Sequence, residues 1–224
     1  MISRRLKAAY YTFFELPMRS SGALYRTLRA PRSGPAKVHL GPGRLFYLPG
    51  WINVDANLFT AKIDVWADLK NPLPFRPDTI DAFYSHHVIE HLPDYDLPRH
   101  FQDLFQCLKP GGFIRIGGPH AHNAAKKYLE NDPSWFSQFP DPHPSMGGKF
   151  ANFILCRGEH LTILTFSYLE ELLSAAGFVK IQECKPQIET FHHEVINDSI
   201  LKLEREDDFE VPHTLLIEAE KPLI

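Results

Sequence analysis

The stretch Val38 to Asp55, VHLGPGRLFYLPGWINVD, brings together residue types suited to holding a nucleoside. Gly41 and Gly43 allow the backbone to turn sharply and approach a ligand more closely than a β-carbon permits. Asp55, at the carboxyl end of the next apolar run, is placed to accept hydrogen bonds from both hydroxyls of a ribose. A turn-capping role would use the same oxygen atoms. Asp64 and Asp68 follow in KIDVWADL, and then a histidine-bearing run, SHHVIEHL, from Ser85 to Leu92. A neutral imidazole of pKa ~6.5 takes a proton from a hydroxyl or amine nucleophile, which makes His86 a candidate general base; the alternative is a ligand-positioning residue without a proton role. The chain has 12 histidines. Among them His120-x-His122, with Asp141, His143 and His160, is the set to weigh as metal ligands. His120 follows a proline in a loop and no HExxH or regular ligand spacing appears, so no metal is expected.

Such residues act only if strands and helices hold them at one edge. Short runs rich in Val, Ile, Phe or Tyr recur at Lys37 to Gly41, Trp51 to Asp55, Ile63 to Ala67, Ile80 to Ser85 and Phe113 to Gly117. That is the pattern of strands buried on both faces of a parallel sheet. Leu97, Phe101, Leu104, Phe105 and Leu108 form a helical stripe ended by Lys109-Pro110-Gly111-Gly112, and Phe166 to Ala176 is a second amphipathic helix stopped by Gly177. Phe178 to Cys184 and Thr214 to Ala219 are the last predicted strands. The alternation predicts a doubly wound α/β sheet. Only seven residues separate Gly43 from Trp51, too few for a full helix. No helix dipole is therefore expected behind the glycine turn, and the amides of Gly41 to Leu45 must serve instead, with Pro42 offering none. Ala121 to Thr165 is an insertion whose aromatics, Trp135, Phe136, Phe139 and Phe150, are expected to form its own core.

The succession LGPG, GWINVD, ADL, PLPF, SHHVIEHL and LKPGGFIRIGGP resembles the class I S-adenosylmethionine-dependent methyltransferases, specifically the small methyltransferase-11-like group. The likeness is tight from Lys37 to Pro119 and loose through LLSAAGF at Leu172 to Phe178. It implies a Rossmann-like, doubly wound, seven-stranded α/β sheet, mostly parallel with an antiparallel C-terminal strand pair, and S-adenosyl-L-methionine as the cofactor. It also implies Gly41 and Gly43 beneath the amino-acid end of the cofactor, Asp55 on the ribose, and Asp68 on the adenine amino group with Leu69 packed on the ring. Ser85 and His86 fall where the cofactor cleft and the acceptor site meet. The EHL motif gives Glu90 as a scaffold residue and His91 as facing the acceptor, and GEHLTILTF (Gly158 to Phe166) resembles the segment that brings a histidine, here His160, toward the active site. The catalytic candidates are His86, His91 and His160. The implied acceptor is a small molecule, a sugar or a lipid-linked intermediate, covered by the insertion. Two rival readings stay open: a regulatory module with a degenerate cofactor site, and a metal-dependent hydrolase.

The composition bounds these readings. At 224 residues and 44% hydrophobic, the chain suits one methyltransferase domain over 36–224, preceded by a basic arm and linker over 1–35. Residues 1–37 carry a balance of +7 within a total of −3, leaving −10 for the remainder. A basic amphipathic arm with Leu6, Tyr10, Phe13, Phe14, Leu16 and Leu24 either touches an anionic membrane surface, packs on the body or forms a lid over the cofactor. Nucleic acid is not an expected partner, since the body is acidic and no recognition module appears. Three widely spaced cysteines, Cys107, Cys156 and Cys184, fit a reducing cytoplasm. No apolar run approaches the roughly 18 residues of a membrane span, and no signal-peptide pattern appears at the N-terminus.

Overall fold

A computed structural model describes residues 4–59 and 61–224; the side chains of Arg4, Arg5 and Lys7 in the basic arm lie outside the described residues. Seven strands form one sheet: β1 (Lys37–Leu40), β2 (Ile52–Asp55), β3 (Val65–Trp66), β4 (Ile80–His86), β5 (Leu108–Pro119), β6 (Val179–Glu183) and β7 (Thr214–Glu220). Their order is β3-β2-β1-β4-β5-β7-β6. All neighbours pair in parallel except β7, which runs antiparallel to both β5 and β6. The strand order reverses between β1 and β4, and the carboxyl ends of strands flanking that reversal are where such sheets bind ligands. Gly41, Asp55 and Ser85 all fall there.

Two strands depart from the sequence pattern. The third keeps only two residues of ladder. The fifth starts at Leu108, directly after the helix, because Leu108 pairs with Ile80 before the register slips and Phe113 pairs with Ala82. The intervening KPGG is thus a bulge inside the strand, with Gly111 at φ +77°, and not a loop between helix and strand. Its amides stay satisfied: Gly111 N–H donates to Lys221 O at 3.0 Å, and Lys221 N–H to Gly112 O at 2.8 Å.

Helix α1 (Arg4–Leu28) carries the basic arm, α2 (Leu97–Cys107) links β4 to β5, and α5 (Phe166–Ala176) packs on α2. Between α2 and α5 lie α3 (Ala121–Leu129) and α4 (Met146–Leu155), and α6 (Asp198–Leu201) follows β6. Among the described residues no helix joins β1, β2, β3 and β4 to one another. Helix α1 takes up the exposed edge instead. Met18 is buried, Phe14 meets the ring of Trp66 at 5.6 Å, Tyr25 meets Phe75 at 6.0 Å, and the Tyr10 hydroxyl donates to Ala56 O at 2.6 Å. The arm is therefore packed on the body.

The insertion folds on its own apolar cluster. Trp135 and Phe136 are buried against Phe150 and Phe153, whereas Phe139 is 70% exposed and is no part of that core. On the other side of the sheet, Ile196, Ile200 and Leu201 cover Trp51, Tyr84 and Phe113. The segment between β6 and β7 was not distinguishable in the sequence as a sheet-covering element.

Candidate active site

The glycine turn after β1 is held by the strand beside it. Gly41 N–H donates to Val54 O at 2.8 Å, and Gly43 N–H to Asp55 Oδ2 at 3.0 Å. Two of the amides expected to face a ligand are thus spent inside the protein, and those of Arg44 and Leu45 follow them. Gly41 sits at φ +69°, and a β-carbon there would lie 2.3 Å from Val88 Cγ2. Gly43 has positive φ and nothing within 4 Å of a β-carbon position, so the turn is closed on one side and open on the other. The second carboxylate oxygen of Asp55 accepts from Asn57 N–H at 2.8 Å. Burial pushes the Asp55 carboxyl above its usual range, and the backbone N–H groups of Asn57, Gly43 and Ala56 partly oppose that. These three amides leave about one of the carboxylate's four lone pairs for a ligand.

Asp68 follows β3 and accepts from Lys70 N–H at 3.0 Å; burial raises its pKa as well. Nothing in the sequence marked Tyr11 on α1 as a neighbour of this group. Its hydroxyl is pushed up to about 12 by burial, with the charges of Asp68 and Asp55 adding. The arm thus brings Tyr11 within electrostatic reach of the two candidate cofactor carboxylates. Leu69, expected on the adenine ring, is buried within the main core. Asp64 is a structural residue, accepting from the backbone N–H and the side-chain amide of Asn53 at 2.8 and 3.0 Å.

Ser85 and His86 end β4. The Ser85 hydroxyl and His86 Nε2 are buried with no hydrogen-bond partner among the described residues. Burial pushes the His86 imidazole well below the ordinary histidine pKa, helped by His87 and Arg115. Such burial disfavours the imidazolium and speaks for the positioning role over the general-base one. Continued strand alternation would point His87 away from the side of His86. His87 adopts φ +55°, which turns it into the site, where His86 and His87 both border a cavity of about 900 Å³. The cavity runs from Gly41 and Gly43 to Trp135 and Phe153 of the insertion. Asp55 and Asp68 are not in its wall and stand with Tyr11.

Glu90, His91 and His160 form a third group. Glu90 is 1% exposed, and its Oε1 meets His87 Nδ1 at 3.0 Å and His91 Nε2 at 4.0 Å. Burial alone would raise this carboxyl; hydrogen bonding to His87 and the nearness of His91 hold it below its usual range. The segment bearing His160 is fastened to the same turn, because Leu161 N–H and Thr162 N–H both donate to Glu90 O, at 2.7 and 3.2 Å. The rings of His91 and His160 lie 5.2 Å apart. The other histidines do not assemble: among the described residues His120 Nε2 turns to Glu183 at 3.2 Å, Asp141 pairs with Arg157, and His122 and His143 are exposed.

Residues 11–183 match a family model described as a methyltransferase domain. This chain is a class I S-adenosylmethionine-dependent methyltransferase. No curated protein sequence matches it. Among solved structures it is similar to the Haemonchus contortus phosphoethanolamine N-methyltransferase 2 bound to S-adenosyl-L-methionine, with 15% identity and a TM-score of 0.51 over 91% of this chain and 52% of that one. The chain thus spans about half the length of that enzyme. It is also similar to a Thermotoga maritima protein described as a possible histamine N-methyltransferase, with 16% identity and a TM-score of 0.51 over 96% of both chains. At such identities the likeness speaks for the fold. S-adenosylmethionine is the cofactor of this methyltransferase, and the residues present suit it: an open glycine turn, two part-buried carboxylates with spare lone pairs, and orphaned polar atoms on Ser85 and His86.

The remaining histidine of the methyltransferase cavity is a clamp. His213 Nδ1 meets Glu206 at 2.9 Å and its Nε2 meets Trp135 O at 2.6 Å. Both nitrogens donate, so the ring is held as an imidazolium. Burial opposes that charge, but Glu206 and the Trp135 carbonyl raise the His213 pKa. Burial likewise opposes the Glu206 charge, yet His213 and the N–H groups of Thr214 and Asp208 hold its carboxyl at about 2.

Proposed function

We propose that this methyltransferase methylates an oxygen or nitrogen of a neutral or cationic small molecule that enters the cavity between the glycine turn and the insertion. The observation that carries this reading is the cavity itself, which joins Gly41, Gly43 and His86 to Trp135 and Phe153. Asp132, Glu206, Asp207 and Asp208 line it against Arg44 and Arg205, a balance that disfavours an anionic acceptor. The cofactor supplies a methyl group on a positively charged sulfur, so the difficult chemistry is its own. The chain's task is alignment, which is worth several kcal/mol when reacting atoms are held in line. In this reading Asp55 accepts from the ribose hydroxyls, Asp68 from the adenine amino group, and Gly41 and Gly43 leave room for the amino-acid end. Ser85 and neutral His86 position the methionine end. His86 and His87 line this cavity, whereas His91 and His160, the other catalytic candidates, do not, so no proton role is drawn for those two.

Titration calorimetry with S-adenosylmethionine and S-adenosylhomocysteine, followed by S-adenosylhomocysteine release with a panel of amines and alcohols, tests this. Binding with turnover on at least one acceptor is the expected result. Binding without turnover on any of them would favour the regulatory-module reading, and no binding at all would sink the proposal.

A lipid-side contact is a second part of this reading, favoured by the exposed face of α1. Phe13, Leu16, Leu24 and Leu28, with neighbouring Phe59, are 61–76% exposed, and exposed Arg19, Arg26 and Arg29 run beside them. An apolar stripe flanked by arginines is the pattern of a helix lying in an anionic lipid interface. Among the described residues no helix is long and apolar enough to cross a membrane. The chain should sediment with phosphatidylglycerol vesicles and not with phosphatidylcholine vesicles. Phe13→Asp with Leu16→Asp should weaken that binding about 10-fold or more. Equal sedimentation of the double variant and the parent would refute the contact.

A further inference from the structure

We infer that Glu90, His91 and His160 form a binding site for a borderline divalent transition metal of the Zn²⁺ type. One ligand atom from each lies within 4.8 Å of the others. Two imidazoles and a carboxylate are a ligand set that Zn²⁺ accepts at about 2.0–2.2 Å per bond while keeping a further position open.

The protonation pattern is what singles this group out. His91 Nδ1 lies 2.9 Å from Glu159 O, and His160 Nδ1 lies 3.0 Å from Ile154 O. A carbonyl only accepts, so both protons sit on Nδ1 and both Nε2 atoms carry lone pairs. A backbone carbonyl on the far nitrogen is the usual device by which proteins orient a metal-binding histidine. The comparison with His213 is direct. Its cluster with Glu206 and Asp207 has similar spacing, but both of its ring nitrogens are engaged, leaving no lone pair to give.

Glu90 supplies the second, independent observation. It is 1% exposed, and among the described residues its Oε2 has no hydrogen-bond partner and its ion-pair partners are His87 and His91 alone. His87 braces Oε1 at 3.0 Å, as a second-layer group would brace a ligating carboxylate. A buried carboxylate needs a compensating cation beside it.

The backbone brings His160 to this point through an uncommon turn. Cys156, Arg157 and Gly158 take φ values of +42°, +58° and +70° in succession, which ends α4 and reverses the chain toward Glu90. Two non-glycine residues in the left-handed region are a local cost kept where the surroundings over-determine it. Tetrahedral Zn²⁺ wants its ligand atoms about 3.4 Å apart, so closure asks for a shift on the order of 1 Å. The His91 side chain, 40% exposed, is free to supply it.

The inference does not depend on the methyl-transfer reading, whose cavity lies beyond these two histidines. The untagged full chain, stripped with a chelator, is titrated with Zn²⁺ by calorimetry and with Co²⁺ by visible absorption. One equivalent is expected to bind, with the intense d–d bands of a four- or five-coordinate Co²⁺ site. His160→Ala, and separately His91→Ala, should loosen binding roughly 100-fold or more, while His213→Gln leaves it unchanged. A flat Co²⁺ titration would overturn the site, as would binding indifferent to both His91→Ala and His160→Ala. Parallel titration with S-adenosylmethionine separates the two proposals: metal binding without cofactor binding would fell only the methyl-transfer reading, and cofactor binding without metal binding only this one.

Discussion

Asp55→Ala should weaken binding of S-adenosylmethionine and S-adenosylhomocysteine by roughly 100- to 1,000-fold. Hydrogen bonds to a charged acceptor are worth about 1.5–3 kcal/mol each, and a ribose offers two hydroxyls to this carboxylate. The substitution also leaves the Gly43 and Asn57 amides, now at 3.0 and 2.8 Å from the carboxylate, without their acceptor, which loosens the turn beneath the ligand. Asp55→Asn keeps one oxygen and should fall between Ala and the parent. The acceptor role requires the ionised form, and the folded pKa is raised. Cofactor affinity should therefore decline as pH falls through that value, at a higher pH than an ordinary aspartate of pKa ~3.9 would show. Calorimetry across pH, with thermal melts of each variant, reads both effects. A variant that melts early yet binds the cofactor as the parent does would reduce Asp55 to a turn-tying residue.

Much of this site was legible because the residues that make it are punctuation as well as chemistry. Gly41 and Gly43 mark a turn that nothing with a β-carbon could make at Gly41, beside Val88, and Asp55 and Asp68 close strands that the Val- and Ile-rich runs announce. The short connection from Gly43 to Trp51 foretold the missing helix. What the pattern could not carry were contacts made across long sequence separations. Tyr11 reaches Asp55 and Asp68 only because α1 lies along β3, and an amphipathic arm shows that it has a packing face without showing against what. His87 escapes any reading by alternation, because its left-handed backbone ends the strand at His86. The metal-ligand spacing searched for in the sequence was local, His120-x-His122, whereas the histidines that converge are His91 and His160, joined by the backbone bonds from Leu161 and Thr162 to Glu90. Arg115 gave no signal at all inside FIRIGGP, a run otherwise typical of a buried strand.

That arginine carries the largest expected change in stability. Arg115 on β5 is fully buried and binds Glu204 through two nitrogens, at 2.7 and 2.9 Å. A third contact runs from its Nη1 to Glu218 Oε1 on β7 at 2.6 Å. The carboxylates are further satisfied by Gln187 N–H at 2.7 Å, the Thr190 hydroxyl at 2.6 Å and Phe191 N–H at 2.8 Å. Arg115→Met keeps much of the volume but strands two buried negative charges, which costs about 3–5 kcal/mol. For a chain of this size about 1 kcal/mol moves Tm by ~2–4 °C, so a fall of roughly 6–20 °C is expected. Adding Glu204→Gln and Glu218→Gln should recover part of the loss, because the cost lies in the uncompensated charges and the three residues form one network. A melting shift under about 2 °C for Arg115→Met would show that water or rearrangement satisfies the carboxylates instead. The same network reaches the active site: Glu204 begins the run Glu204 to Asp208 that walls the cavity, and Gln187 N–H and Arg115 pin it from behind. The triple variant, folded but without the ionic anchor, should therefore bind S-adenosylmethionine as the parent does while losing acceptor turnover, since Asp55 and Asp68, the carboxylates proposed for the cofactor, lie outside that wall.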